Sequence, residues 1–119
     1  MDRKRFIREL SKANSELDLD RVINALNKNI ESNLSDGNPR GHKNMIICME
    51  ELAELTQQIS KVLRKKKDSI HLLEELADTQ ISVYYIQQIC NISNEELNKA
   101  INVKIDRLND ELDNNGSVA

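Results

Sequence analysis

Apolar residues recur through most of the chain at the three- and four-residue spacing of helix faces. This pattern predicts five helices, each bounded by a capping residue or a polar break. The first predicted helix covers residues 2–14 with Asp2 as its cap, and the second runs from Asp18 or Asp20 through Leu34. The third covers residues 43–64, and the fourth runs from Asp68 or Ser69 to Cys90. The last begins at the capping box Ser93–Glu96 and ends at Leu112.

The two longest helices carry apolar stripes that are expected to pair. The first comprises Met45, Met49, Leu52, Ile59 and Leu63, with Thr56 at the missing position, and the second Leu72, Leu76, Val83 and Ile86. A polar turn at 64–68 joins them, and residues 35–41 form a loop before them. With three Gly and one Pro, turn residues are too scarce for a sandwich or barrel. The expected fold is all-α, a helical bundle built on a long antiparallel helix hairpin.

The length of 119 residues corresponds to one small domain. We expect N-terminal helices in residues 1–36, a helical core in 40–112 and a flexible polar tail in 113–119. Apolar surface left over after packing within so small a chain predicts a homo-oligomer.

Charge and composition exclude several classes. A net charge of −3 argues against a nucleic-acid polymer as partner. No apolar run reaches the roughly 18 residues of a membrane span. The charged start is not followed by an apolar stretch, so we expect no secretory signal. Cys48 and Cys90 lack metal-binding spacing, so we expect small core residues and a reducing cytoplasm.

One acidic pattern occurs twice. Glu50-Glu-Leu-Ala-Glu54 recurs as Glu74-Glu-Leu-Ala-Asp78, so each long helix carries two acids three residues apart. Acids at that spacing project from nearly the same side of a helix. In an antiparallel hairpin, the residue numbers of two facing residues add up to the same total for every facing pair. The pairs Glu51–Asp78 and Glu54–Glu75 satisfy this condition for a turn near residue 64, so the four carboxylates should meet at one level.

A solvated acidic face is the alternative, but it usually places Lys or Arg near each acid. Here no Lys or Arg lies between Lys43 and Lys61, or between Lys67 and Lys99. A bound cation removes the repulsion between the acids, and an all-oxygen donor set suits Mg²⁺, or Mn²⁺, rather than zinc. His71 is expected to pair with Glu75 rather than to bind metal, which argues against a di-iron site.

The residues Glu51-x-x-Glu54 and Glu75-x-x-Asp78 resemble the signature of the MazG-like all-α nucleoside triphosphate pyrophosphohydrolases, over residues 40–112. The resemblance implies Mg²⁺-dependent cleavage of a (d)NTP to (d)NMP and pyrophosphate, with nucleotide-pool house-cleaning as one role. It implies that these four residues bind the metal and carry the catalysis. It also implies a homodimer or a dimer of dimers, with sites near the subunit interface.

A nucleotide substrate also needs cations to bind its phosphates and a flat or polar surface to bind its base. Lys61 follows Glu54 by seven residues on the same helix face, and Tyr85 follows Asp78 likewise. On the last helix, Lys104 and Arg107 are candidates for phosphate, with Asn98 and Asn102 beside them. For Tyr85, core packing is the competing role.

Two other functions stay open at this point. The apolar stripes would equally serve a non-enzymatic helical oligomerisation module, which should not bind Mg²⁺. A relative specific for one substrate, such as dUTP, dCTP or phosphoribosyl-ATP, would carry the same motif. The sequence does not choose a base or a sugar.

Overall fold

The computed structural model describes residues 3–34, 39–66 and 68–118, with side chains described as far as Asn114. Within these ranges the chain forms five helices and no strands, which confirms the all-α prediction. The helices are α1 (Arg3–Lys12), α2 (Leu19–Ser32), α3 (His42–Leu63), α4 (Ser69–Cys90) and α5 (Asn94–Val118). The predicted Asp2 cap and residues 35–38 of the predicted loop lie outside the described residues.

Capping residues explain where three of the helices begin. The Asp18 carboxylate accepts a hydrogen bond from the Arg21 backbone N–H at 3.2 Å, so Asp18 rather than Asp20 caps α2. Asp68 caps α4 in the same way, accepting from the His71 N–H at 3.1 Å. At α5 the Ser93 hydroxyl accepts from the Glu96 N–H at 3.0 Å, as the capping box predicts.

The C-terminal helix is longer than its apolar stripe predicted. We expected α5 to end near Leu112 and to be followed by a flexible tail, but the helix continues to Val118. Its apolar residues Ile101, Ile105 and Leu108 are about half exposed, so the stripe has no covering within the chain.

Helix α3 packs mainly against α4, and α2 also packs on α4. The face of α3 toward α4 is not the predicted apolar stripe. Met49 and Leu63 are 70% and 79% exposed, whereas Asn44, Cys48 and Gln58 are buried. The prediction that the Met45–Leu63 stripe pairs with α4 is therefore wrong. On α4, Leu76 is likewise exposed, whereas Glu75 and Ser82 are buried.

Asparagine side chains attach α2 to the long helices. The Asn29 side-chain carbonyl accepts hydrogen bonds from Asn44 Nδ2 at 2.8 Å and from the Tyr85 hydroxyl at 2.9 Å. Leu26 and Ile30, on the inner face of α2, are two of the buried apolar residues. This junction places α2 beside the N-terminal end of α3 and the C-terminal part of α4.

Gly41 fixes the start of α3. Its φ is +83°, a left-handed conformation that side chains disfavour, and it directly precedes the helix. A Cβ at this position would lie 2.7 Å from the Ile89 side chain. Glycine is therefore required here both by the backbone and by the approach of α4.

The chain is extended and leaves much apolar surface exposed. It measures 59 × 36 × 29 Å with a radius of gyration of 18.0 Å, against about 13.5 Å for a compact domain of this length. Its accessible surface of 9455 Å² exceeds by nearly half the roughly 6,600 Å² of a compact monomer of this mass.

Cys48 is buried as predicted, whereas Cys90 is exposed, so the predicted core role of Cys90 is wrong. None of the described helices has the length and apolarity to cross a membrane.

Candidate metal centre

Four carboxylates meet between α3 and α4. Glu51, Glu54 and Glu75 each offer an oxygen, and these oxygens lie within 4.8 Å of one another. Asp78 lies close enough for its charge to act on Glu51, and the Glu54 charge acts in the same way on Glu75. The structure thus brings together the four acids that were predicted as site residues, in the two cross-helix pairings that the spacing gives.

Two of these carboxylates are left with unpartnered oxygens inside the protein. Glu75 is only 6% exposed; its Oε1 lies 3.4 Å from His71 Nε2, as predicted, but its Oε2 has no hydrogen-bond partner. Oε2 of Glu51 is also buried without a partner. Unpartnered buried carboxylate oxygens are costly, so the free chain holds these groups in an unfavourable state.

Burial and mutual repulsion raise the pKa values in the cluster. Desolvation, followed by the charges of Asp78 and Glu54, raises the pKa of Glu51 to about 7. Desolvation is also the main cause of the raised pKa of Glu75, where the nearby Glu54 charge adds to it. The pKa of Asp78 is raised by desolvation and by the Glu74 charge. Three acids of the cluster thus have raised pKa values, and that of Glu51 lies near neutral pH.

This donor set fits a hard divalent cation. All ligand atoms are carboxylate oxygens, which Mg²⁺ and Mn²⁺ prefer, and their close spacing gives an ion several oxygens at once. A cation would also supply the missing partners of Glu51 Oε2 and Glu75 Oε2. Glu50, on the same helix, is exposed and lies outside the cluster.

A cavity of about 550 Å³ opens beside the cluster. Its acidic side is formed by Glu54, Glu75 and Asp78, with Glu74 next to them. The other polar and aromatic residues that line the cavity come from three helices. They are the positive or polar residues Arg3, Lys61, His71, Gln57 and Gln58, and the aromatic residue Phe6. A divalent metal held by the carboxylates could bind an anion in this cavity. The positive side chains of the lining could then contact the remaining negative charge of that anion.

A second, smaller cavity of about 200 Å³ lies on the α2 side of the same cluster. Glu51 and Asp78 form its acidic edge, and Asp78 lines both cavities. Its other walls include Asn44, Ser82 and Tyr85. Tyr85, predicted as a base-stacking or core residue, therefore lies at a cavity rather than in a packed core.

Some predicted residues do not reach the site within this chain. Lys61 lines the larger cavity as expected. Lys104, Arg107, Asn98 and Asn102 are exposed on α5 and line neither cavity.

Sequence reasoning missed Arg3 and Phe6 on α1, and Asn29 and Asn44 beside the second cavity. Arg3, Phe6 and Asn29 reach the site only through the packing of a distant helix, so nothing in the local pattern marks them. Asn44 precedes Glu51 by seven residues on α3, and that spacing is a signal that could have found it. Gln57 and Gln58 directly follow the Glu54 turn, and that position on the acidic face is a signal that could have found them.

Comparison with protein-family models, with curated proteins and with solved structures finds no match to this chain.

Proposed function

We propose that this protein is a Mg²⁺-dependent nucleoside triphosphate pyrophosphohydrolase, converting a (d)NTP and water into (d)NMP and pyrophosphate. The observation that supports it most is the cluster of Glu51, Glu54, Glu75 and Asp78, with two buried carboxylate oxygens lacking partners. A cavity lined by both acidic and basic side chains adjoins it. The motif resemblance supplies the reaction class.

The residues on hand suit each part of that reaction. The four carboxylates would hold the metal, which neutralises the triphosphate and orients the attacking water. A carboxylate of the cluster accepts the proton of that water as its oxygen bonds to the α-phosphorus. The bond from the α-phosphorus to the α–β bridging oxygen breaks, and pyrophosphate leaves with that oxygen. Lys61 offers a cation to the departing phosphates.

The smaller cavity is the proposed place for the nucleoside. Tyr85 offers an aromatic face, and Asn44 and Ser82 offer hydrogen-bonding groups, on the opposite side of Asp78 from the larger cavity. This assignment orients the substrate with its base toward α2 and its phosphates toward α1. Base and sugar preference are left to a substrate screen, in which dUTP, dCTP and phosphoribosyl-ATP are included.

We further propose that α3 and α4 form an antiparallel hairpin within a homodimer or dimer of dimers. Their connection is short, and the cross-helix carboxyl pairs Glu51–Asp78 and Glu54–Glu75 follow antiparallel register. The surface excess of roughly 2,900 Å² over a compact monomer is large enough for an obligate interface. The exposed stripes of α3 and α5 are the surfaces to be covered. The free cysteines suit a cytoplasmic location.

The test is a screen of the common NTPs and dNTPs for NMP and pyrophosphate, with and without Mg²⁺, on the parent and on Glu54→Gln. The substitution keeps size and helix propensity but removes a charged ligand, so turnover and Mg²⁺ affinity should fall together by at least tenfold. Glu50→Gln is the matched control, because Glu50 is an exposed glutamate outside the cluster. A parent that neither binds Mg²⁺ nor hydrolyses any nucleotide would favour the oligomerisation module.

A further inference from the structure

The N-terminal helix closes one side of the larger cavity. Arg3 and Phe6 of α1 line it together with carboxylates of α3 and α4. No residue of α1 is buried, so the helix lies over the cavity rather than within the core. The repeated acidic motif does not include α1, and the proposed metal centre does not need it.

Arg3 is held at the cavity by one well-defined contact. Its Nη2 lies 2.7 Å from Asp68 Oδ2, and both side chains remain partly exposed, Arg3 by 54%. Asp68 also caps α4 through the His71 backbone N–H, which fixes the carboxylate in place. The pKa of Asp68 is lowered first by that backbone hydrogen bond and also by the Arg3 charge. Asp68 itself is not among the cavity walls.

The charges around the cavity are arranged for a metal-bridged anion. Its lining combines the carboxylates with positive or protonatable groups from Arg3, Lys61 and His71. A guanidinium presents paired donors in one plane that match two phosphate oxygens, whereas an ammonium acts as a point charge and an imidazole has no such pair. Arg3 is thus the group in this wall best suited to a polyphosphate.

We propose that Arg3 is a phosphate-binding residue of the site and that α1 is the element that delivers it. This inference rests on the proposed function and assigns the phosphate end of the substrate to the wall formed by α1. In the free protein Asp68 keeps the guanidinium at the cavity. An exposed ion pair of this kind shifts an equilibrium by less than about fivefold, so exchanging Asp68 for phosphate is inexpensive.

The competing explanation is that Arg3 only anchors α1 through Asp68. Two variants separate the roles. Arg3→Ala removes both the guanidinium and the ion pair. Asp68→Asn removes the ion pair but keeps the guanidinium, and Asn caps a helix as well as Asp does, so α4 should begin unchanged. Arg8→Ala is the control for lost positive charge on α1, because Arg8 is exposed and lines neither cavity.

The measurement is calorimetric binding of inorganic pyrophosphate to the full chain in saturating Mg²⁺, with Mg²⁺ binding alone measured beside it. We expect Arg3→Ala to weaken pyrophosphate binding by about 10- to 100-fold, as lost charge-assisted hydrogen bonds do, and to leave Mg²⁺ binding unchanged. Arg3→Lys should restore part of the loss. Asp68→Asn and Arg8→Ala should stay within about threefold of the parent.

Equal weakening by Arg3→Ala and Asp68→Asn would overturn the inference in favour of an anchoring role. Unchanged binding in Arg3→Ala would overturn it as well, and so would a parent that binds Mg²⁺ but no pyrophosphate. A parent that binds pyrophosphate through Arg3 yet hydrolyses no nucleotide would refute the proposed function while supporting the role of Arg3.

Discussion

Replacing Glu51 by Gln should weaken the pH dependence of stability in the metal-free protein, because it removes the ionisable group with the largest resolved pKa change. The pKa of Glu51 rises from an ordinary value of 4.5 to about 7 on folding, because the carboxyl is desolvated and faces Glu54, Glu75 and Asp78. A carboxyl with a raised pKa favours the folded state while it is protonated. Its contribution is therefore lost as the pH rises from about 4.5 through 7. Cys48, whose raised pKa keeps it a neutral thiol, adds no charge in this range.

The size of the effect follows from the pKa change. At about 1.4 kcal/mol per pH unit, the rise to about 7 corresponds to at most about 3.4 kcal/mol. Glu51 is partly exposed, so water reduces this to about 1–3 kcal/mol. Above pH 7.5 the metal-free Glu51→Gln variant should be more stable than the parent by that amount. Near pH 4.5 the two should be equal within about 0.5 kcal/mol, since the parent carboxyl is then largely protonated.

Urea unfolding in EDTA at pH 4.5, 6, 7 and 8, at one fixed chain concentration, measures both curves. Saturating Mg²⁺ should invert the order at pH 8, because the parent binds the ion with a ligand that Gln lacks. Glu50→Gln, an exposed neighbour, should track the parent throughout. A parent whose stability is flat from pH 4.5 to 8 in EDTA would show that the cluster is solvated and would refute the reasoning.

Three further substitutions test the packing around the site. Gly41→Ala should cost about 1–3 kcal/mol of unfolding free energy, since Ala is strained at a φ of +83° and its Cβ would lie 2.7 Å from Ile89; a melt like that of the parent would contradict this. Asn29→Ala should lower the free energy of unfolding by about 1–3 kcal/mol, because it leaves the buried Asn44 amide without its acceptor. The control Asn24→Ala, at an exposed position, should lower it by less than about 0.5 kcal/mol in the same denaturation assay. Ile105→Lys should weaken self-association at least tenfold in sedimentation, while Asp110→Lys, about 140° around α5, should not; equal effects would exclude the α5 stripe as the interface.

Local signals in the sequence predict the helices and the carboxylate cluster. A helix cap depends on residues no more than four positions apart. The caps Asp18 and Asp68 and the Ser93–Glu96 capping box can therefore be predicted without knowledge of the tertiary structure. The acidic cluster needs only two helix periods and one short turn, and the cross-helix pairs form as that geometry requires. The contribution of α1 to the cavity depends instead on how a helix more than 40 residues distant in sequence docks, and no local pattern encodes that.

The misassigned stripe of α3 has a physical reason. Periodicity analysis assumes that the apolar face of a helix is the face turned to its nearest neighbour. On α3 the face toward α4 instead carries Asn44, Cys48 and Gln58, together with the metal-binding candidate Glu51.

A helix that turns carboxylates toward its partner must turn its apolar residues elsewhere, because the two faces lie on opposite sides of one cylinder. Placing an acidic site between α3 and α4 therefore sends Met49, Leu52 and Leu63 outward. Exposed apolar area on that scale favours association. The inward cluster and the proposed oligomer thus have a common origin, and relieving the cluster by Glu51→Gln should strengthen folding of the metal-free chain without weakening its self-association.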